Sequence, residues 1–165
     1  MIFFFFKVLI TVCFYTILGK ILVYKFFNNE KSDFIDTSII GIIFASIIPL
    51  FVNFFLPLSL INNSIIFFVI LFVFLILKLK IKKNDYFFIL IASILSFIII
   101  LYDNEYRPDA GLYHLPYTQI LNEQNIPIGL TNIHTRFGHI SIIQYLSAFN
   151  LNIFTNEIGI IIPIS

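Results

Sequence analysis

Charge is what this sequence has least of. Only 12% of the 165 residues are Asp, Glu, Lys or Arg, while 59% are hydrophobic and the mean hydropathy is +0.99. A soluble domain of this length needs a polar surface that such a composition cannot supply, so lipid is the solvent for much of the chain. There is one cysteine, Cys13, within an apolar run, which excludes an internal disulfide and leaves it the role of a small apolar side chain. A formal net charge of +1 excludes a general attraction to nucleic acid. No zinc signature, phosphate-binding loop or dinucleotide glycine motif occurs. Tryptophan is absent and Gly and Ala are scarce, whereas Phe, Ile, Asn, Lys and Tyr abound. That is the coding bias of an AT-rich bacterial genome, so run length is more informative than residue type.

What is present is a series of apolar runs. A span needs about 20 mostly apolar residues. The first run covers residues 2–27, with Lys7 and Lys20 near enough to its ends to snorkel toward water. It lacks the leading charge and small-residue cleavage site of a secretory signal, so it reads as an uncleaved helix. A polar linker, Asn28 to Asp36, precedes an uncharged run over residues 37–57, in which Pro49 is expected to kink the helix. A short uncharged link leads to a third run, about 60–78, closed by Lys78, Lys80, Lys82 and Lys83. The fourth, 86–102, is at the lower limit for a span. The four-lysine loop belongs in the cytoplasm by the positive-inside rule. Alternation then puts the Lys25/Lys31 linker inside, and the N-terminus and the long polar segment after Tyr102 on the extracytoplasmic side.

The chemistry-bearing residues fall in Asp103 to His139: Asp103, Glu105, Arg107, Asp109, His114, Glu123, His134, Arg136 and His139, including every histidine and arginine of the chain. A connector this long between spans is a functional candidate. Leu112, Tyr113, Pro116, Tyr117, Ile120 and Leu121 recur at helical steps, with Thr118, Gln119, Asn122 and Glu123 off that stripe. The segment is too short and polar to span, so it predicts a helix lying in the membrane interface, with Pro116 kinking or restarting it. Asp109 heads the stripe and points toward bilayer or core; equally, it is a helix-start acid held by the backbone dipole. Asp103 and Glu105 either hold a divalent cation or position a base, or they simply end a span at the water interface. His134 and His139, five apart, are wrongly spaced for two metal ligands on one helix face. Arg136 suits a phosphate or diphosphate at the interface, or an ion pair with one of the acids. Beyond His139, Ile142, Ile143, Leu146 and Phe149 form a stripe opposite Ser141, Gln144 and Ser147, giving an interfacial or a polar transmembrane helix. The closing IGIIIPIS reads as the start of a truncated span.

The stretch PDAGLYHLPYTQILNEQNIPIGLTNIHTRFG resembles the first large extracytoplasmic loop of bacterial polytopic proteins similar to C-type glycosyltransferases, which use polyprenyl-phosphate-linked sugars. In that superfamily an acid starts a juxtamembrane helix and is followed by aromatic residues. Here Asp109, followed by Tyr113 and His114, matches that position. The resemblance covers roughly residues 102 to 138 and implies that Asp109 acts as catalytic base or metal ligand. The adjacent second acid is replaced by Ala110, which removes a carboxylate that a metal would use.

The expectation is an all-α, polytopic transmembrane helical protein of the bacterial inner (cytoplasmic) membrane. Residues 1–102 would carry four spans, 103–139 an extracytoplasmic loop with short interfacial helices, and 140–165 a further membrane-associated helix. Its expected activity is glycosyltransferase-like, moving a sugar from a polyprenyl-phosphate donor to a glycan or lipid acceptor in cell-envelope assembly. Asp109 would be catalytic; Arg136, His114, Tyr113, Asp103 and Glu105 would bind substrate, with a divalent cation as the one cofactor the acids admit. A non-catalytic envelope or assembly protein, and a transporter fragment, are the competing readings. The apolar runs, with little inside them beyond Asn53 and some serines, disfavour transport.

Overall fold

The computed structural model describes residues 1–27, 33–102, 112, 114–126, 129, 132, 135 and 141–164. Among these the chain is all-helical. The helices are α1 (Ile2–Phe27), α2 (Phe34–Asn53), α3 (Leu60–Ile76), α4 (Lys83–Tyr102), α5 (Leu115–Glu123) and α6 (Ile142–Phe149). Two 3-10 segments follow, Asn156–Ile160 and Ile162–Ile164. Helices are the natural outcome of such runs, because in lipid every backbone N–H and C=O must be satisfied within the segment. Of the described helices, α1, α2 and α4 are long and apolar enough to cross a membrane. At 17 residues α3 is about 25 Å long, slightly less than a hydrocarbon core.

Helix α1 is the hub, packed against α2, α3 and α4. Its antiparallel crossing with α2 is set by two glycines. A Cβ on Gly19 would lie 1.7 Å from the Thr37 carbonyl oxygen, and one on Gly41 would lie 1.8 Å from that of Tyr15. Only hydrogen fits at either place, and small residues are how membrane helices approach closely. Thr16 and Ser38 share a hydrogen bond across the same crossing, 3.3 Å. Phe14 stacks on Phe67 of α3 at 4.4 Å and meets Phe149 of α6 at 6.0 Å, and with Ala45 of α2 one apolar cluster joins four helices.

Helix α4 is the least enclosed of the three long helices and runs antiparallel to α1. Phe97 meets the rings of Phe4 and Phe5 edge-on at one end. At the other end Lys20 Nζ and Asp85 Oδ2 form a 2.8 Å ion pair, the side chains only 7% and 5% exposed. This corrects the sequence reading of Lys20. Rather than snorkelling, its ammonium turns inward to a carboxylate 65 residues away. Phe34 of α2 stacks on Phe88 of α4 at the same end. The lysine-rich turn between α3 and α4 therefore shares an end of the bundle with the C-terminal part of α1 and the start of α2. The α2–α3 link, α5 and α6 occupy the opposite end.

Several expected boundaries move. Helix α2 stops at Asn53 rather than Pro57, because Leu58 pairs its N–H with the Leu121 carbonyl, 2.9 Å, and leaves the helical path. Pro49 lies inside α2. Helix α6 has eight residues and is too short to span, and the closing apolar residues form 3-10 turns.

Candidate functional site

The polar residues of this protein gather where α2, α5 and α6 end and α3 begins. Helix α5 starts with Pro116 in its first turn, where a proline costs no hydrogen bond, so the restart reading of Pro116 is the one adopted. Its buried residues are Tyr117, Thr118, Leu121 and Asn122. Tyr117 and Leu121 belong to the apolar stripe expected from sequence, whereas Thr118 and Asn122 were expected off it. Thr118 and Asn122 turn inward, while Leu112 and Leu115 are exposed. The helix presents its polar edge to the protein because backbone carbonyls there need donors. Helix α6 behaves likewise: Gln144 and Ser147, expected opposite the apolar stripe, are buried, and Ile142 and Ile143 are exposed.

Asparagine supplies those donors. Asn53 Nδ2 donates to the carbonyls of Leu121 and Gln124, at 3.3 and 3.0 Å. Asn63 Nδ2 reaches Leu58, Ala148 and Leu151, at 2.7, 2.9 and 2.8 Å. Asn122 Nδ2 donates to Leu58 and Ala148. Asn150 Nδ2 donates to Tyr15 Oη in the middle of α1, 2.7 Å, and Asn125 reaches Phe55. These are the C-terminal carbonyls of short helices and turns, which have no partner within their own helix. Buried in apolar surroundings, each would cost about 1–3 kcal/mol if left unpaired. The amides allow irregular backbone to pack inside the membrane helices, the setting in which such backbone is tolerated.

Helix α6 opens with a capping box. The Ser141 side chain accepts from the Ile143 N–H, and Gln144 Oε1 accepts from the Ser141 N–H at 3.1 Å. With its oxygen so engaged, Gln144 has only its Nε2 for the 3.1 Å contact with His114 Nδ1. Nδ1 is therefore the acceptor, and His114 carries its ring hydrogen on Nε2. Tyr117, one turn on, hydrogen-bonds Tyr145, and burial raises its phenol above the usual tyrosine range.

Residues 1–162 match the family described as Domain of unknown function (DUF8201). The chain belongs to the DUF8201 family. No curated protein and no solved structure matches it. The DUF8201 match takes in both the membrane helices and the α5–α6 unit, so the two belong to one domain.

Of the site residues expected in this DUF8201 chain, His114 is described, and it is brought against Gln144. Asp103, Glu105, Asp109, Tyr113 and Arg136 lie outside the described residues, as do Arg107, His134 and His139. Glu123 bonds Gln119 at the surface, 2.8 Å, and takes no part in the buried layer. No group of three or more His, Cys, Asp or Glu side chains converges as a metal site among the described residues. Sequence reasoning missed Asp85, Asn63, Asn122 and Asn150. A charge at the edge of an apolar run was the available signal for Asp85; the asparagines resembled coding bias.

Proposed function

We propose that this DUF8201 protein is a glycosyltransferase-like protein of the bacterial inner membrane. It transfers a sugar from a polyprenyl-phosphate donor to a glycan or lipid acceptor during cell-envelope assembly. In this reading Asp109 is the base toward the acceptor, Arg136 holds the donor phosphate, and His114, Tyr113, Asp103 and Glu105 line the substrate. The supporting observation is the His114–Gln144 hydrogen bond. In sequence His114 follows Asp109 by five residues and Gln144 follows Arg136 by eight, so each proposed group is close along the chain to one member of this pair. That unit is at the bundle end opposite the lysine-rich turn, which is the extracytoplasmic end by the positive-inside rule. A lipid-linked donor keeps its phosphate at the membrane interface, where such a unit would meet it.

The test uses cells carrying the full-length protein, with lipid extracts assayed for the sugar-charged polyprenyl phosphate. Asp109→Asn keeps shape and polarity but removes the charge a base needs, so the charged donor should accumulate and the glycan should fall. Arg136→Lys retains charge but loses two-pronged geometry, so donor binding should weaken at normal expression. Unchanged donor and glycan levels in Asp109→Asn, at normal expression, would remove the catalytic assignment. The non-catalytic assembly reading would then lead.

A further inference from the structure

In the layer where α2, α5 and α6 end, four oxygen atoms have no hydrogen-bond partner among the described residues. They are Oδ1 of Asn53, Asn63 and Asn122, and Oγ of Ser147. All four side chains are more than nine-tenths buried. Their residues belong to one neighbourhood. Asn63 and Asn122 donate to the same two carbonyls, Leu58 and Ala148. Asn53 donates to Leu121, the residue before Asn122, and Ser147 precedes Ala148. With each amide NH2 committed to backbone carbonyls, the oxygens cannot be exchanged for donors by flipping the side chain.

The electrostatics favour a positive guest. Three α-helices end at this layer, each with a partly negative C-terminus, while α3 and the 3-10 segment Asn156–Ile160 begin beside it. The balance of these helix ends is negative. No charged side chain hydrogen-bonds to these four oxygens among the described residues. Water would donate to pairs of oxygens without answering that field; a small cation answers both. Short helices whose C-terminal ends meet buried oxygen ligands are also how membrane transporters hold sodium.

We propose that this layer is a binding site for a monovalent cation of the sodium and potassium class. Its ligands are the amide oxygens of Asn53, Asn63 and Asn122 and the hydroxyl of Ser147. The set lacks a carboxylate, the ligand type that calcium and magnesium sites draw on, which selects single charge. The proposal is independent of sugar transfer and concerns different residues.

The experiment is thermal unfolding of the purified full chain in detergent, with sodium or potassium chloride replacing choline chloride at constant ionic strength. A cation that binds only the folded protein raises the midpoint with the logarithm of its concentration. One of the two alkali cations should do so, and choline should not. Ser147→Ala is the informative variant, because Ser147 Oγ makes no hydrogen bond that its loss would break. It should unfold in choline at or above the parent's midpoint, and need about tenfold more cation for an equal rise, equivalent to about 1.4 kcal/mol. Equal midpoints in all three salts mean that water alone fills the layer, and overturn the proposal. An ion-specific rise that Ser147→Ala leaves unaltered places the cation elsewhere, and overturns it as well.

Discussion

Asp85→Asn should destabilise this protein more than Lys20→Met, although the two substitutions break the same ion pair. The pair is buried at both ends, at 2.8 Å, with Lys20 about 10 Å along α1 from its C-terminal end. Removing one partner of a buried pair costs about 3–5 kcal/mol, because a charge is left without compensation. The two survivors differ. Asp85 also accepts the Lys82 backbone N–H at 3.2 Å and lies in the first turn of α4, where the helix dipole favours an anion. Lys20 sits well within α1, far from any helix terminus that would favour a cation. Asp85→Asn should therefore fall at the upper end of that range and Lys20→Met at or below the lower. The double variant should recover most of the loss, since an uncharged pair carries no such penalty. Reversible unfolding in mixed micelles, arranged as a double-mutant cycle, measures the coupling directly. Single-variant losses below about 1 kcal/mol would mean that both groups reach water, as surface pairs do, and would refute the reasoning.

Three other outcomes follow from the packing. Gly41→Ala should lower stability by about 1–3 kcal/mol in the same assay, because its Cβ meets the Tyr15 backbone at 1.8 Å and neither helix can yield locally. Asn63→Leu should cost about 2–3 kcal/mol, chiefly because the Leu151 carbonyl loses its side-chain donor while Leu58 and Ala148 keep Asn122. Tyr117 has its phenol pKa raised by burial, so above about pH 10 the unfolded chain ionises where the folded one does not. Stability should fall as pH rises through that range, and Tyr117→Phe should flatten the fall in pH-dependent unfolding curves.

The long helices were legible because their signal is local. A run of apolar residues demands a helix wherever it is placed in lipid, and α1, α2 and α4 follow from run length alone. Their ends were less legible. Asn53 closes α2 because residues 68 and 71 positions away need its amide, a fact absent from the residues around it. The inward turn of Thr118 and Asn122 escaped notice for the same reason. An apolar stripe marks the lipid or core side of an isolated helix, whereas α5 faces a protein layer with free carbonyls to satisfy. Lys20 looked like an interfacial lysine while its partner remained hidden in the next lysine cluster.

Asparagine is where composition misled most, and it also explains how the short helices are held. Asn is frequent throughout this chain, so any one of them reads as noise. Yet a carboxamide is the side chain best matched to a helix end at membrane depth. It donates two hydrogens to carbonyls without bringing a charge that lipid would penalise. Aspartate at position 63 would face the Leu58, Ala148 and Leu151 carbonyls as acceptor against acceptor, and leucine would take from Leu151 its side-chain donor. Serine is too short to bridge from α3 to α6. The spacing of 85 and 88 residues between Asn63 and its carbonyls in the last third of the chain therefore constrains the fold as firmly as a cross-link would. It fixes α6 against α3, and through Gln144 it fixes His114 and the start of α5.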